Sequence, residues 1–176
     1  YINGEIAPHI VGYTGFMSPE EYEKLKEKYA MDAVIGKAGI ESVFEDYLRG
    51  IGGKRMIQMS RDGQVMDVSE KEPAQSGNTV HLTISSKIQQ VANESLKKNV
   101  EAAHKGASDC CSGAAVVLNV KDFSVLAAST YPSYDLTRFM EDRSYYSELA
   151  KDKAVPLLNR AFMGAYAPGS VYKPLV

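Results

Sequence analysis

The sequence predicts an α+β fold in which helices and a hairpin precede a second region of strands and helices. Apolar residues recur at helical spacing over residues 40–48 and in a long segment that opens at Ser85. Asp62-Gly63 between two loosely alternating arms, Arg55–Ser60 and Gln64–Val68, indicates a β-hairpin. Two nearly continuous apolar segments, 114–120 and 124–130, predict paired strands that are buried on both faces of a sheet.

In chain order, residues 1–15 mix short apolar runs with Gly and Pro, which predicts irregular structure with a brief strand near Ile10-Val11. Ser18-Pro19-Glu20-Glu21 is typical of a helix start, with Ser as cap and Glu three residues later. The stripe over residues 40–48 ends at a glycine cluster. That cluster is not a phosphate loop, because Gly53-Lys54 is followed by Arg rather than Ser or Thr.

The polar, breaker-rich segment Ser69–Asn78 is the best candidate for a boundary, and it divides the chain into residues 1–78 and 79–176. After it, Val80–Ile84 is expected to be a short strand. The helix from Ser85 then carries a predicted inward face. Its members are Ile88, Val91, Ala92, Ser95, Leu96, Val100 and Ala103. Residues 131–135 indicate a turn, and 136–153 predict one or two short helices.

Composition excludes several classes of protein. The 176 residues include 20 basic and 22 acidic side chains, a net charge of −2, and no basic cluster that would suggest nucleic acid. No apolar run is long enough to span a bilayer, although both ends read as cuts in a longer chain. The adjacent pair Cys110-Cys111 has strained geometry for a mutual disulfide and no His at metal-ligand spacing. We therefore expect no metal and no cofactor.

The last residues of the chain contain Pro168-Gly169-Ser170, followed by Lys173. Pro-Gly before a Ser indicates a tight turn that places the Ser at a helix start, and residues three apart share a helix face. A Ser hydroxyl becomes a nucleophile when a base accepts its proton, and a Lys of lowered pKa can be that base. The helix start also offers N–H groups to an oxyanion. The pattern predicts an acyl-transfer site with Ser170 as nucleophile and Lys173 as base.

The segment 156–176, which contains Asn159-Arg160-Ala161 before the Ser-x-x-Lys, resembles the active-site serine segment of class B penicillin-binding proteins. Segments 9–15 and 36–50 resemble motifs of the non-catalytic pedestal of that family. The order of strand, helix, hairpin, helices and Ser-x-x-Lys after residue 79 resembles the opening of the penicillin-recognising serine transferase fold, with segment 113–135 carrying specific matches. Ser85, where the family usually has Asp, and Leu136-Thr137, where it often has Pro-Asn, depart from the pattern at a cap and a turn.

The resemblance implies a peptidoglycan D,D-transpeptidase of the penicillin-binding protein 2 type, which crosslinks stem peptides through an acyl-serine and is trapped by β-lactams. It also implies a location on the extracytoplasmic face of the bacterial membrane, an anchor upstream of this chain, and wall-synthesis membrane partners such as a glycosyltransferase. The family's two further motifs, Ser-x-Asn and Lys-Thr-Gly, are expected downstream of Val176. The isolated chain is therefore expected to be inactive.

Two other functions stay open at this point. The chain could act as a non-catalytic pedestal or scaffold of the wall-synthesis machinery, with the stripe of residues 40–48 binding a partner helix. The alternative for that stripe is packing against the chain's own hairpin, which we expect because exposed apolar patches promote association. A β-lactamase or β-lactam sensor would share Ser-x-x-Lys but would leave residues 1–78 without a purpose. On spacing alone, Ser170 could also simply cap a helix.

Overall fold

A computed structural model describes residues 1–107, 110–166 and 173. Within these residues the strands form three separate antiparallel pairs, β1 with β2, β3 with β4, and β5 with β6. The helices are α1 (Pro8–Val11), α2 (Pro19–Leu25), α3 (Gly39–Val43), α4 (Glu45–Leu48), α5 (Ser86–Gly106), α6 (Leu136–Glu141), α7 (Arg143–Lys151) and α8 (Arg160–Met163). The strands are β1 (Thr14–Phe16), β2 (Val34–Gly36), β3 (Lys54–Met59), β4 (Val65–Glu72), β5 (Gly113–Leu118) and β6 (Val125–Tyr131).

The N-terminal segment differs from its prediction. Residues 10 and 11 belong to the helical turn α1 rather than to a strand, because Pro8 opens the turn and the N–H groups of Val11 and Gly12 bond to the carbonyls of Ala7 and Pro8. The strand begins at Thr14 instead and pairs with β2, which the sequence did not indicate. A three-residue strand carries too little alternation to be read from a pattern.

Helix α2 begins as predicted. The Ser18 hydroxyl accepts the N–H of Glu21, and the Glu21 carboxylate accepts the N–H of Ser18 at 2.7 Å, which completes a capping box behind Pro19. Glu21 also pairs with Lys37, which immediately follows β2. The helix start is therefore tied to the small sheet of β1 and β2.

The apolar stripe of residues 40–48 forms two short helices instead of one, because Phe44 leaves the helical conformation with φ −107° and ψ 20°. Val43 and Tyr47 are 76% and 62% exposed, and the part-buried remainder of α3 contacts α1 and β2 rather than the hairpin. The expectation that this stripe packs on the hairpin is therefore wrong. Apolar residues at helical spacing indicate that one face of a helix is suited to burial. They do not indicate which other element packs against that face.

The predicted hairpin is present, with Ile57 opposite Val68 and the turn at Asp62-Gly63. Its second strand continues to Glu72, four residues past the predicted end and into the segment taken as the domain boundary. Lys54 and Glu72 form an ion pair at 2.9 Å where the two strands end, so the strand pairing extends to Glu72. Every residue of both strands is exposed in the described structure.

The second region packs α5 across the β5–β6 pair. The helix from Ser85 is confirmed, and its predicted inward face is right in part. Val100 is buried and Ala92 and Leu96 are part-buried as predicted, whereas Ile88 and Val91 are exposed and the unpredicted Gln89 is buried. The predicted strand at 80–84 is absent from the described structure. That segment instead lies beside β6, where the Ser85 N–H donates to the Leu126 carbonyl at 2.9 Å.

The strands β5 and β6 run where predicted, with Val116 opposite Ala128. Burial on both faces holds for the middle of β6 but not for β5, where Val116 and Leu118 are partly exposed. The short helices α6 and α7 are confirmed, and Asp135 and Asp142 cap them. A hydrophobic cluster gathers Tyr134, Leu136 and Leu149 with part-buried residues from the far N-terminal segment. Those residues are Val11 and Tyr13.

Candidate active site and its anchorage

Of the two predicted catalytic residues, the structure describes only one. Ser170 lies outside the described residues, so its predicted place beside Lys173 stays a prediction. Lys173 is described, and its side chain is exposed to solvent. What the structure describes in detail is the approach to this pair, from α7 through the loop 152–159 to α8 and on to Tyr166.

Helix α8 is anchored from inside by Arg160, a charged residue that is only 7% exposed. Its guanidinium donates to the Val155 carbonyl at 2.8 Å and also to the carbonyl of Ala154. A buried cation is stable only when its donors are satisfied, so two carbonyls of the preceding loop are fixed to the first residue of the helix. The N–H of Ala161 donates to the Thr130 hydroxyl on β6 at 3.3 Å, which ties α8 to the sheet.

His9 anchors the same loop from the other side. Its Nε2–H donates to the Pro156 carbonyl at 2.8 Å, although the two residues lie 147 positions apart in sequence. The Asn159 side-chain amide returns a bond to the His9 carbonyl at 3.2 Å. The His9 ring meets the edge of Tyr134 with 5.0 Å between ring centroids. Burial lowers the pKa of His9, and the nearby Arg160 charge lowers it further, so the ring is neutral at pH 7.

More of the N-terminal segment packs against the second region. The Gly4 carbonyl accepts the N–H of Leu136 at 3.1 Å, and the Ile6 carbonyl accepts the side-chain amide of Asn93 on α5 at 2.8 Å. The rings of Tyr13 and Phe139 lie 4.8 Å apart. Residues 1–13 therefore form part of the frame around the approach to Ser170.

Sequence reasoning quoted His9, Asn159 and Arg160 as parts of motifs but assigned them no contacts. Gln89 is not among the residues of the predicted inward face of α5, although its side chain is buried and bonded to β6. A polar residue inside an amphipathic helix gives no sign of whether it faces the core. The family motifs in the sequence were a signal that His9, Asn159 and Arg160 matter. They gave no indication of which residues these side chains contact.

A Ser-x-Asn triplet does occur in the chain, as Ser76-Gly77-Asn78, ahead of the Ser-x-x-Lys rather than after it. Asn78 donates from its backbone N–H and from its side-chain amide to the Tyr47 carbonyl, at 2.8 and 3.1 Å. A Cβ on Gly77 would overlap the Leu48 carbonyl. This triplet therefore holds the end of α4 in place.

In the pedestal motif, Glu41 lies in the first turn of α3, and its pKa is raised by burial and by the neighbouring charge of Glu45. The carboxylate of Glu45 accepts the Gly36 N–H at 2.7 Å. No group of three or more potential metal ligands occurs among the described residues. None of the helices in this part of the chain combines the length and the hydrophobicity needed to cross a bilayer.

Comparisons with protein families match both halves of the chain. Residues 1–82 match the penicillin-binding protein dimerisation domain, and residues 113–176 match the penicillin binding protein transpeptidase domain. The second match contains the Ser-x-x-Lys together with β5, β6 and α6 to α8. The chain therefore consists of a penicillin-binding protein dimerisation domain followed by the start of a transpeptidase domain.

Individual relatives are similar over nearly the whole chain. The peptidoglycan D,D-transpeptidase MrdA of Haemophilus influenzae is 38% identical over 100% of the chain, and penicillin-binding protein 3 of Bacillus subtilis is 37% identical over 99%. MrdA of Escherichia coli K12 is 33% identical. The chain spans 26%, 24% and 27% of these three relatives, about a quarter of their length.

Among solved structures, a complex of penicillin-binding protein PBP2 with MreC from Helicobacter pylori superposes with a TM-score of 0.77 and 28% identity. The match covers 99% of this chain and 31% of that one. The chain belongs to the penicillin-binding protein family, as its motifs predicted. Its fold contains both helices and strands, and the dimerisation domain precedes the transpeptidase domain, as expected from the sequence.

Proposed function

We propose that this chain supplies the pedestal and the nucleophile of a peptidoglycan D,D-transpeptidase. Ser170 is the nucleophile and Lys173 accepts its proton. The observation that carries the proposal is the place of the Ser-x-x-Lys inside the matched transpeptidase domain, in a chain whose relatives are named D,D-transpeptidases over its full length. The anchored loop and helix that precede Ser170 add support, because a nucleophile needs a fixed approach.

The proposed chemistry has two steps. The Ser170 oxygen attacks the carbonyl between the two terminal D-Ala residues of a stem peptide, its proton passes toward Lys173, and the bond to the terminal D-Ala nitrogen breaks. The departing D-Ala takes up a proton. The amine of a neighbouring stem then attacks the acyl-serine, forms the crosslink and returns a proton to the Ser170 oxygen. A β-lactam enters the first step, but its leaving group stays attached and the acyl-serine persists.

The domain division proposed from the sequence, residues 1–78 and 79–176, has support from the family match that ends at residue 82. Residues 76–84, between β4 and α5, belong to no helix or strand. We place the active protein on the extracytoplasmic face of the bacterial membrane, where peptidoglycan and its stem peptides lie. Its partners there are membrane proteins of wall synthesis, including a glycosyltransferase.

The pedestal also serves as a docking surface in this proposal. The PBP2 to which the chain is similar was solved in complex with MreC. The exposed apolar side chains of α3 and α4 in this chain, Val43 and Tyr47 among them, offer a surface for a protein of that kind. The β-lactamase alternative loses support because a dimerisation domain accounts for residues 1–82.

The test is intact-mass spectrometry of a protein that carries this chain with a complete transpeptidase domain, after incubation with benzylpenicillin. We expect a stable adduct of one penicillin mass, with no adduct in Ser170→Ala. Lys173→Met should slow adduct formation by at least about a hundredfold, as expected for loss of a general base. A folded wild-type protein without an adduct would show that Ser170 is only a helix cap.

A further inference from the structure

We propose that His9 is a positioning residue for the acyl-transfer reaction, acting through the loop 152–159 and α8 on the segment that carries Ser170. This inference rests on the proposed function. Its starting observation is that one loop, immediately before the nucleophile segment, is held by the far N-terminal part of the chain. The contacts are the His9 bond to Pro156 and the Asn159 bond to His9.

The loop is strained at its centre. Val155 has φ +47°, in the left-handed region that a β-branched residue adopts only when its surroundings impose it. Its N–H donates to the Asp152 carbonyl at 2.9 Å, and its own carbonyl accepts from Arg160. Pro156 follows directly and is among the most completely buried side chains. Because Val155 is in an unfavourable backbone conformation, the loop keeps this conformation only while its hydrogen bonds and packing contacts are present.

Two side chains, Arg160 and His9, hold the loop 152–159 through hydrogen bonds to its backbone carbonyls. Arg160 binds the carbonyls of Ala154 and Val155 from within the second region. His9 binds the next carbonyl, that of Pro156, from the N-terminal region. Three successive backbone carbonyls are therefore fixed by two side chains. The two side chains come from opposite ends of the chain, and only Arg160 belongs to the loop's own neighbourhood.

The hydrogen bond from His9 to Pro156 requires one orientation of the imidazole ring. The ring is part-buried, burial lowers the pKa of His9 and so favours the form with one N–H, and the ring packs against Tyr134 in a T-shaped arrangement. Helix α8 begins directly after the loop, and the chain then leads to Ser170. Displacing a nucleophile by about 1 Å can slow a reaction by about a hundredfold, so a partial loosening of this loop should be visible in the acylation rate.

The test measures the second-order rate of acylation by a fluorescent penicillin, together with the thermal midpoint, in a protein carrying this chain with a complete transpeptidase domain. His9→Phe keeps an aromatic ring against Tyr134 but removes the N–H donor. His9→Gln removes the ring but keeps an N–H within reach of Pro156. We expect acylation to fall about tenfold in His9→Phe and to stay within about threefold of wild type in His9→Gln.

A third variant separates positioning from stability. Val155→Gly relieves the left-handed strain and loosens the loop, so we expect slower acylation with a thermal midpoint that is unchanged or raised. A purely structural role for His9 would make acylation follow the thermal midpoint in all three variants, and that result would overturn the inference. So would wild-type acylation rates in both His9→Phe and Val155→Gly. A wild-type protein that forms no adduct would instead refute the proposed function, and this inference with it.

Discussion

At the scale of single residues, the side-chain amide of Gln89 occupies the place that a peptide group of a neighbouring strand would take. Its oxygen accepts the Ala128 N–H at 2.8 Å and its nitrogen donates to the Ala128 carbonyl at 3.1 Å. The nitrogen also lies within bonding distance of the Ser129 hydroxyl and of the Asn93 side-chain oxygen, at 3.2 and 2.9 Å. A residue of α5 thus satisfies the open edge of β6.

Replacing Gln89 by Leu should destabilise the chain by about 2–4 kcal/mol, because the N–H and carbonyl of Ala128 would be left unpaired in a buried place. Chemical denaturation followed by circular dichroism measures the change in the free energy of unfolding. The matched control is Gln90→Leu, since Gln90 is exposed and its side-chain amide bonds to Glu94 on the same helix. Equal effects of the two substitutions would contradict this account of Gln89.

At the scale of elements, the described structure leaves two apolar surfaces of residues 1–78 open. One is the stripe on α3 and α4, and the other is the hairpin of β3 and β4, with several Met, Ile and Val side chains exposed. In the stripe, Ile40 and Leu48 are part-buried and α3 contacts α1 and β2, but Val43 and Tyr47 stay exposed, as do the hairpin side chains, in the part of the chain that the structure describes. Each is a candidate surface for the partner contacts proposed above.

Val43→Asp tests the stripe. Because Val43 is exposed, the substitution should leave the free energy of unfolding within about 0.5 kcal/mol of wild type. A charge placed in the proposed apolar interface should weaken the proposed binding to an MreC-type partner at least about tenfold, measured by biolayer interferometry. The control is Val120→Asp, at a valine that is 85% exposed on the β5–β6 turn. Unfolding of Val43→Asp, or unchanged binding, would contradict the docking role of this stripe.

The element-scale errors have two causes, a tertiary partner that the local pattern does not show and a proline that starts a helical turn. Sequence periodicity predicted α5 correctly but only part of its inward face, because it counted Ile88 and Val91 as core and could not foresee Gln89 pairing with β6. It predicted a strand at 80–84 from apolar residues that lie beside β6 with one backbone bond from Ser85. It predicted a strand at Ile10-Val11 where Pro8 starts a helical turn. In each case a tertiary partner, or one proline, outweighed the local pattern.

At the scale of the whole molecule, this chain contains the nucleophile motif without a later Ser-x-Asn or any Lys-Thr-Gly. Those motifs supply substrate contacts and part of the electrostatic surroundings that such sites require. We therefore expect the isolated 176-residue chain to form no adduct with benzylpenicillin in intact-mass spectrometry. The same chain joined to a complete transpeptidase domain is the positive control. Acylation of Ser170 in the isolated chain would overturn this expectation.

The amino-acid sequence by itself determined the capping box of α2, the Asp-Gly hairpin, the β5–β6 pair, the short helices after residue 135 and the family, because these depend on residues close together in the chain. Only the tertiary structure decided that His9 binds Pro156, that Arg160 clamps Ala154 and Val155, and that Gln89 faces β6. The reason is physical. A local pattern reports what a segment prefers, whereas a hydrogen bond between residues 147 positions apart exists only after the chain has packed.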